Sequence, residues 1–351
     1  MIPGDIGREL GLRASGTWRP VPGGGPGTYA SSLAFRLAER TGEGPAEVAA
    51  GLAARLRGTA WISEASVTGG GYLTVTVTER ALVSLAARIP AAGAGCAASD
   101  ALCGTEVSAP EDGDADLAGA ADWAQARQLV VGAVTARLAR AAGAEMRIEG
   151  GGPDSAGGGA AAGRIQRVGP DSAGGGWGMA SAVAFAGGDA IRYQLARAMP
   201  TGQAAPVDAS RGVRNDFSNP FFAVRYAHAH AASVLRWAAD LGADRGDPEA
   251  LRPRSLAHPG ERALLALLSW ISERAGSSAR RGRPDAWARY LESVAGAWLD
   301  CARSRPALPF GGLSAPRDGQ ETAARLWLAA AAATVLRTGL ELIGVAAPER
   351  M

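Results

Sequence analysis

The chain has 351 residues, 47% of them hydrophobic, with 36 basic against 34 acidic side chains and a formal charge of +2. That length accommodates two or three domains, and so balanced a charge excludes any argument for a nucleic-acid partner from net charge alone. Every basic residue is Arg; the absence of lysine, with 49 glycines, reads as genomic composition bias rather than as function, but it removes every lysine-dependent chemistry from the chain.

Residues 1–26 are rich in Gly and Pro and read as loose, with some order at 4–12. A helical pattern is predicted over 29–40, with Leu33 and Leu37 on one face, and after a turn Pro45 takes a favoured first helical position. Val48, Leu52 and Leu56 recur at spacing four and predict a second amphipathic helix. Residues 61–67 and 72–78 read as strands around Gly69-Gly70-Gly71; in the second, Leu73, Val75 and Val77 alternate with Tyr72, Thr74 and Thr76. A further helix is predicted over 80–88.

Residues 92–120 read as a linker, acidic at Glu111, Asp112, Asp114, Asp116 and Asp122, followed by a helix over 121–142. The octapeptide Gly-Pro-Asp-Ser-Ala-Gly-Gly-Gly occurs at 152–159 and again at 169–176; such units bury nothing and predict flexible loops. From 181 onward the pattern is helical, with helices predicted over 182–198, 222–241, 262–275, 284–303 and 322–343. Stripes such as Trp287, Leu291, Val294 and Trp298 predict helix–helix packing in an antiparallel bundle. The expected fold is thus an α+β N-terminal module plus an all-α C-terminal helical bundle, mainly α overall, divided at 1–92, 93–182 and 183–351.

Cys96, Cys103 and Cys301 have no metal-knuckle or disulfide spacing, so reduced thiols, no metal site and a cytoplasmic location are expected. The N-terminus lacks a basic-then-apolar leader. The apolar stretch 326–336, ended by Arg337, reads as too short to span a bilayer, and no membrane partner is expected. No Ser-His-Asp grouping or phosphate loop emerges from the three scattered histidines and three thiols.

Four segments, in order, carry a resemblance. They include Ser32-Leu33-Ala34-Phe35-Arg36-Leu37-Ala38, Pro45-Ala46-Glu47-Val48-Ala49 and Gly71-Tyr72-Leu73-Thr74-Val75 in the N-terminal module, then Ala126-Arg127-Gln128-Leu129-Val130-Val131-Gly132. Gly188-Asp189-Ala190-Ile191-Arg192-Tyr193 follows. The last segment opens on Asn219-Pro220-Phe221-Phe222-Ala223-Val224-Arg225-Tyr226-Ala227-His228-Ala229-His230 and runs to Pro348-Glu349-Arg350-Met351. The chain resembles the arginyl-tRNA synthetases, with their additional N-terminal domain and their DALR anticodon-binding domain.

The resemblance implies a tRNA partner, tRNA-Arg being the candidate. It implies that Tyr226 stacks on an anticodon-loop base, that Met351 packs beside one, and that Arg225 and Arg236 meet phosphates. It places Tyr72 and Thr74 on the surface that meets the tRNA D-loop, Thr74 standing where the family has an asparagine. The family's His-x-Gly-His motif falls on Asp122-Trp123-Ala124-Gln125, where both histidines and the glycine are replaced, and a Lys-Met-Ser-Lys loop cannot exist without lysine; Arg164 and Arg167 are the nearest basic residues. Catalytic residues and a cofactor are therefore not expected. Two alternatives stay open: a divergent arginine–tRNA ligase or synthetase subunit, with ATP as cofactor, and a protein-interaction scaffold that has lost RNA and has a protein partner. As a plain structural reading, Tyr226 and Trp237 are core residues of the bundle, and His228 is a satisfied inter-helix hydrogen-bonder.

Overall fold

Alternation along Tyr72–Val77 builds the first sheet: Leu73, Val75 and Val77 turn inward and are buried, while Thr74 and Thr76 face out. In the computed structural model, which describes residues 1–12, 17–110, 117–149, 177–198, 207–308 and 319–351, this module comprises α1 (Ile2–Glu9), β1 (Trp18–Pro20), β2 (Thr28–Ser31), α2 (Leu33–Thr41), α3 (Pro45–Leu56), β3 (Ile62–Thr68), β4 (Tyr72–Val77) and α4 (Glu79–Ala92). The sheet order is β1-β2-β4-β3, antiparallel throughout. The β3–β4 turn closes on Gly71 at φ 146°, where a Cβ would lie 2.8 Å from that of Pro45, so the hairpin rests directly on the start of α3.

Two expectations change here. The helix read from residue 29 begins only at Leu33, because 28–31 pair with β4 from Thr28↔Thr76 to Ser31↔Leu73. The N-terminal stretch, read as loose apart from some order at 4–12, opens with α1, whose Ile2 and Ile6, with Leu10 beyond it, recur at spacing four and are buried.

The stretch read as a linker holds a 3₁₀ turn at Gly93–Ala97 and then β5 (Glu106–Pro110); α5 (Trp123–Ala141) and β6 (Glu145–Glu149) follow, with β6 parallel to β5. Strand, crossover helix and parallel strand make a small βαβ unit. Both copies of the octapeptide, Arg164, Arg167 and the acidic run Glu111 to Asp116 lie outside the described residues.

The bundle comprises α6 (Met179–Ala186), α7 (Gly188–Arg197), the short α8 (Ala209–Gly212), α9 (Pro220–Asp240), α10 (Pro259–Leu268), α11 (Ile271–Arg280), α12 (Pro284–Ser304) and α13 (Gly319–Ile343). Two predicted helices are each broken in two. Gly187, at φ 84°, separates α6 from α7, and Ser269 with Trp270 separates α10 from α11. Helix α13 is 25 residues long and, contrary to the shorter stretch read from the sequence, long and apolar enough to cross a membrane by length and composition; 72% of its most apolar window is buried inside the bundle. Gly339 marks its closest approach to α12, where Trp287 Nε1 donates to the Gly339 carbonyl at 3.1 Å.

The N-terminal module docks on this bundle directly. Helix α4 packs along α13. Tyr29 Oη donates to Ser269 Oγ at 2.9 Å, and its ring lies 5.2 Å from that of Trp270. The Met1 amine donates to Ser272 Oγ at 2.5 Å, and Arg262 pairs with Glu79 at 3.1 Å.

Candidate nucleic-acid interface

Helix α9 starts where it does because Asn219 is buried and fully used. Its Oδ1 accepts from the Phe221 N–H at 3.1 Å, and its Nδ2 donates to the carbonyls of Gly212 at 3.2 Å and Arg214 at 2.9 Å. Pro220 supplies a preset φ at the first helical position. This cap fixes the preceding turn and the phenyl ring it carries, Phe217, which is 62% exposed.

Phe222, Tyr226 and His230 follow at spacing four and share one face of α9. Phe222 and Tyr226 stack at 5.6 Å and 23°, and Phe217 meets Tyr226 edge-on at 5.3 Å and 88°. His230 lies 6.2 Å from Tyr226 and 5.8 Å from Trp298 of α12. Trp237, three turns beyond Tyr226, is exposed. The result is a half-exposed aromatic stripe with open ring edges, suited to planar, unpaired bases. Tyr226 is half-buried within it rather than sealed in the core, and Trp237 is not a core residue at all. Phe217 was missed in the sequence. An aromatic residue inside the polar turn Arg214-Asn215-Asp216-Phe217-Ser218-Asn219 was the available signal.

The C-terminal tail runs on a different face of α9. His228, two residues and therefore about 200° around from Tyr226, is buried and donates from Nδ1 to the Pro348 carbonyl at 2.8 Å. The sequence reading of a satisfied inter-helix hydrogen-bonder is met only in part: the acceptor belongs to the tail and not to a helix, and Nε2 is buried without a partner. Burial pushes the His228 imidazole below its ordinary pKa, as does the Arg337 charge, while the Pro348 bond and Glu349 oppose this. His230 is likewise lowered by burial. Arg236 donates to the Glu349 carbonyl at 2.8 Å and to Ser233 Oγ at 2.7 Å, so part of its donor fork holds the tail. Arg225 lies with its guanidinium carbon 4.9 Å over the Phe221 ring, and its Nε is buried without a partner. Met351 is 57% exposed.

The Gly188–Tyr193 motif anchors the same tail. Arg192 is buried and donates to the Gly344 carbonyl at 2.8 Å, pairing also with Asp189 at 3.3 Å. Asp189 accepts from the Ala346 N–H at 3.0 Å, and Arg137 donates to the Ile343 carbonyl at 3.3 Å. Tyr193 Oη reaches Glu292, which also takes a two-pronged bond from Arg197 at 2.6 and 3.2 Å. These residues position; they leave Met351 at the end of a fixed tail.

Tyr72 and Thr74 lie on the other module. Tyr72 is 39% exposed and meets Phe35 edge-on at 5.0 Å; Thr74 faces outward with its hydroxyl 2.8 Å from that of Thr68. The structure therefore gathers Arg236 with the Met351 tail, Tyr226 with the stripe, and Tyr72 with Thr74, as three patches rather than one.

The start of α5 is closed by its own side chains. Asp122 caps it, its carboxylate accepting from the Gln125 N–H at 2.8 Å, and Gln125 Oε1 takes the Ala121 N–H at 2.5 Å. One of the helix N-terminal donors, the Gln125 N–H, is thus taken by an anionic side chain.

The later part of the bundle, from within α9 to the clamped tail, is the part that a DALR-class family model matches. The profile described as "DALR anticodon binding domain" matches residues 224–351, and that described as "Arginyl tRNA synthetase N terminal domain" matches 22–77. The chain is accordingly arginyl-tRNA synthetase-like. It is 38% identical over 172 residues to the arginine–tRNA ligase of Paenarthrobacter aurescens, covering 48% of this chain and 30% of that protein. It is 39% identical over 168 residues to that of Clavibacter sepedonicus, covering 47% and 28%. The aligned region thus spans about three tenths of the length of these relatives. The fold matches that of Thermus thermophilus arginyl-tRNA synthetase with a TM-score of 0.63 at 16% identity, over 99% of this chain and 98% of that one.

Proposed function

We propose that this protein binds tRNA, with tRNA-Arg as the first candidate, in the cytoplasm and without activating an amino acid. The observation that carries the reading is the stripe of Phe217, Phe222, Tyr226 and His230 on the anticodon-binding bundle, open at Phe217. Bases of an RNA loop stack on such rings with little sequence demand, and nearby guanidiniums meet the phosphates. Tyr72, exposed, and Thr74, half-buried, on the outer side of β4 offer the second contact. The absence of lysine and the Asp122 cap of α5 support the lack of activation, because charge developing on ATP phosphates would find no lysine and would meet a carboxylate at the helix start.

Anisotropy titration of labelled tRNA at low salt tests the binding, and ATP–pyrophosphate exchange with arginine and tRNA tests the chemistry. Saturable binding that weakens with salt, with no exchange, is expected. No tRNA binding at low salt, or exchange above background, overturns the corresponding half of the reading.

A further inference from the structure

The seam between the two modules holds a feature that none of the three patches uses. A hollow of about 610 Å³ opens between β1 with the segment after it and the face of α11, lined by Trp18, Arg19, Trp270, Glu273, Arg274 and Arg281 among others. Its indoles are almost wholly buried, at 5% for Trp18 and 7% for Trp270, and Trp18 Nε1 has no acceptor. Above this floor the guanidiniums of Arg19, Arg274 and Arg281 are exposed, and among the described residues none pairs with a carboxylate. Arg274 lies 5.9 Å over the Trp270 ring, which fixes its direction.

The cluster extends further. Arg280 is held below its ordinary pKa by burial; the like charges of Arg281 and Arg36 act in the same sense, and Glu273 opposes them. Guanidiniums from β1 and from α11 with its C-terminal cap therefore line one seam beside the buried Glu273 carboxylate, and Arg36 of α2 adds its charge to that felt by Arg280. Other guanidiniums of this protein sit against a carboxylate, as with Arg197 and Glu292 or Arg325 and Glu261. Like charges that outnumber the counter-charge beside them cost stability, and an arriving anion relieves that cost.

We infer that this seam is a phosphate-binding site and that it takes the sugar–phosphate backbone of the RNA. The hollow is shallow and its cations stand on two opposing walls, Arg19 on one and Arg274 with Arg281 on the other, which suits successive phosphates better than a small ligand that must be largely enclosed. The inference rests on the tRNA-binding reading for its source of phosphate, and on the seam geometry alone for its chemistry.

The test compares wild type with Arg274→Gln/Arg281→Gln and, on the opposite wall, Arg19→Gln. Thermal melts check that each folds. Salt dependence of tRNA affinity is expected to flatten by about 0.7 to 0.9 in log–log slope for each phosphate left without its guanidinium, so by about 1.4 to 1.8 for the double variant, with affinity about tenfold weaker at moderate salt. An unchanged slope in both variants, with wild type binding tRNA, overturns the seam site and leaves the function standing. If wild type binds no tRNA, titration with ATP and with tripolyphosphate decides. Binding that the double variant abolishes retains the phosphate chemistry and overturns RNA as its source, and no binding of either overturns the site.

Discussion

The His228 imidazole holds the Pro348 carbonyl at 2.8 Å, and its other nitrogen, Nε2, is buried without a partner. Nδ1 must therefore carry the proton, and a second proton on Nε2 would be a buried, unpaired charge.

The pH dependence follows. The folded-state pKa of His228 lies below its ordinary value, so the unfolded chain binds protons more readily. Its contribution is fully present above the unfolded pKa of about 6.5 and is lost as pH falls through the lower folded value. The melting temperature should drop between pH 7 and pH 5, and His230, lowered in the same direction, adds to the drop. His228→Asn keeps a donor near Nδ1 but does not titrate, so it should flatten the low-pH part of the curve. An unaltered curve in that variant removes His228 as a source.

Arg192 should prove structural. Replacing it with Met strands the Gly344 carbonyl and leaves Asp189 without its charge partner. Losing hydrogen bonds from a charged group of this kind costs about 1.5–3 kcal/mol. Urea unfolding should register that loss, and proteolysis near residue 344 should accelerate.

Gly339 sits where a Cβ would come within 2.9 Å of Leu291 Cδ1 and closer still to its Cδ2. Gly339→Ala should destabilise by roughly 1–3 kcal/mol through overpacking. Combined with Leu291→Ala the loss should fall short of the sum, because the second change removes the clash; a double-mutant cycle on melting data reads this coupling.

For the RNA face, Phe217→Ala and Tyr226→Ala should each weaken tRNA binding by about 1–3 kcal/mol, the range for removing one base stack. Phe217→Ala should leave the melting temperature nearly unchanged, since that ring is mostly in solvent. A loss of binding that appears only with a loss of fold would argue against stacking.

The local patterns in this chain were readable. Alternation marked β4, spacing-four apolar residues marked α3, and the Asn219-Pro220 pair marked the start of α9 within a few residues. What escaped was set by partners distant in sequence. Residues 28–31 become a strand only because β4 accepts them, more than forty positions on. Strands β5 and β6 have no apolar run and are fixed by pairing across α5. Single helices read through Gly187 and Ser269 because apolar periodicity continues across both breaks. Tyr226 was singled out by the motif, but Phe217 and the seam arginines were not. Their relation to Tyr226 and to Trp270 exists only once the turn is capped and the two modules have met.

Tyr29 reaching Ser269 and α4 lying along α13 make the junction a buried contact instead of a tether. The outer side of β4 and the stripe on α9 consequently keep a set spacing, like the jaws of a calliper. A ligand gripping both is gauged for length, and one that is a few base pairs too short or too long must forgo one jaw.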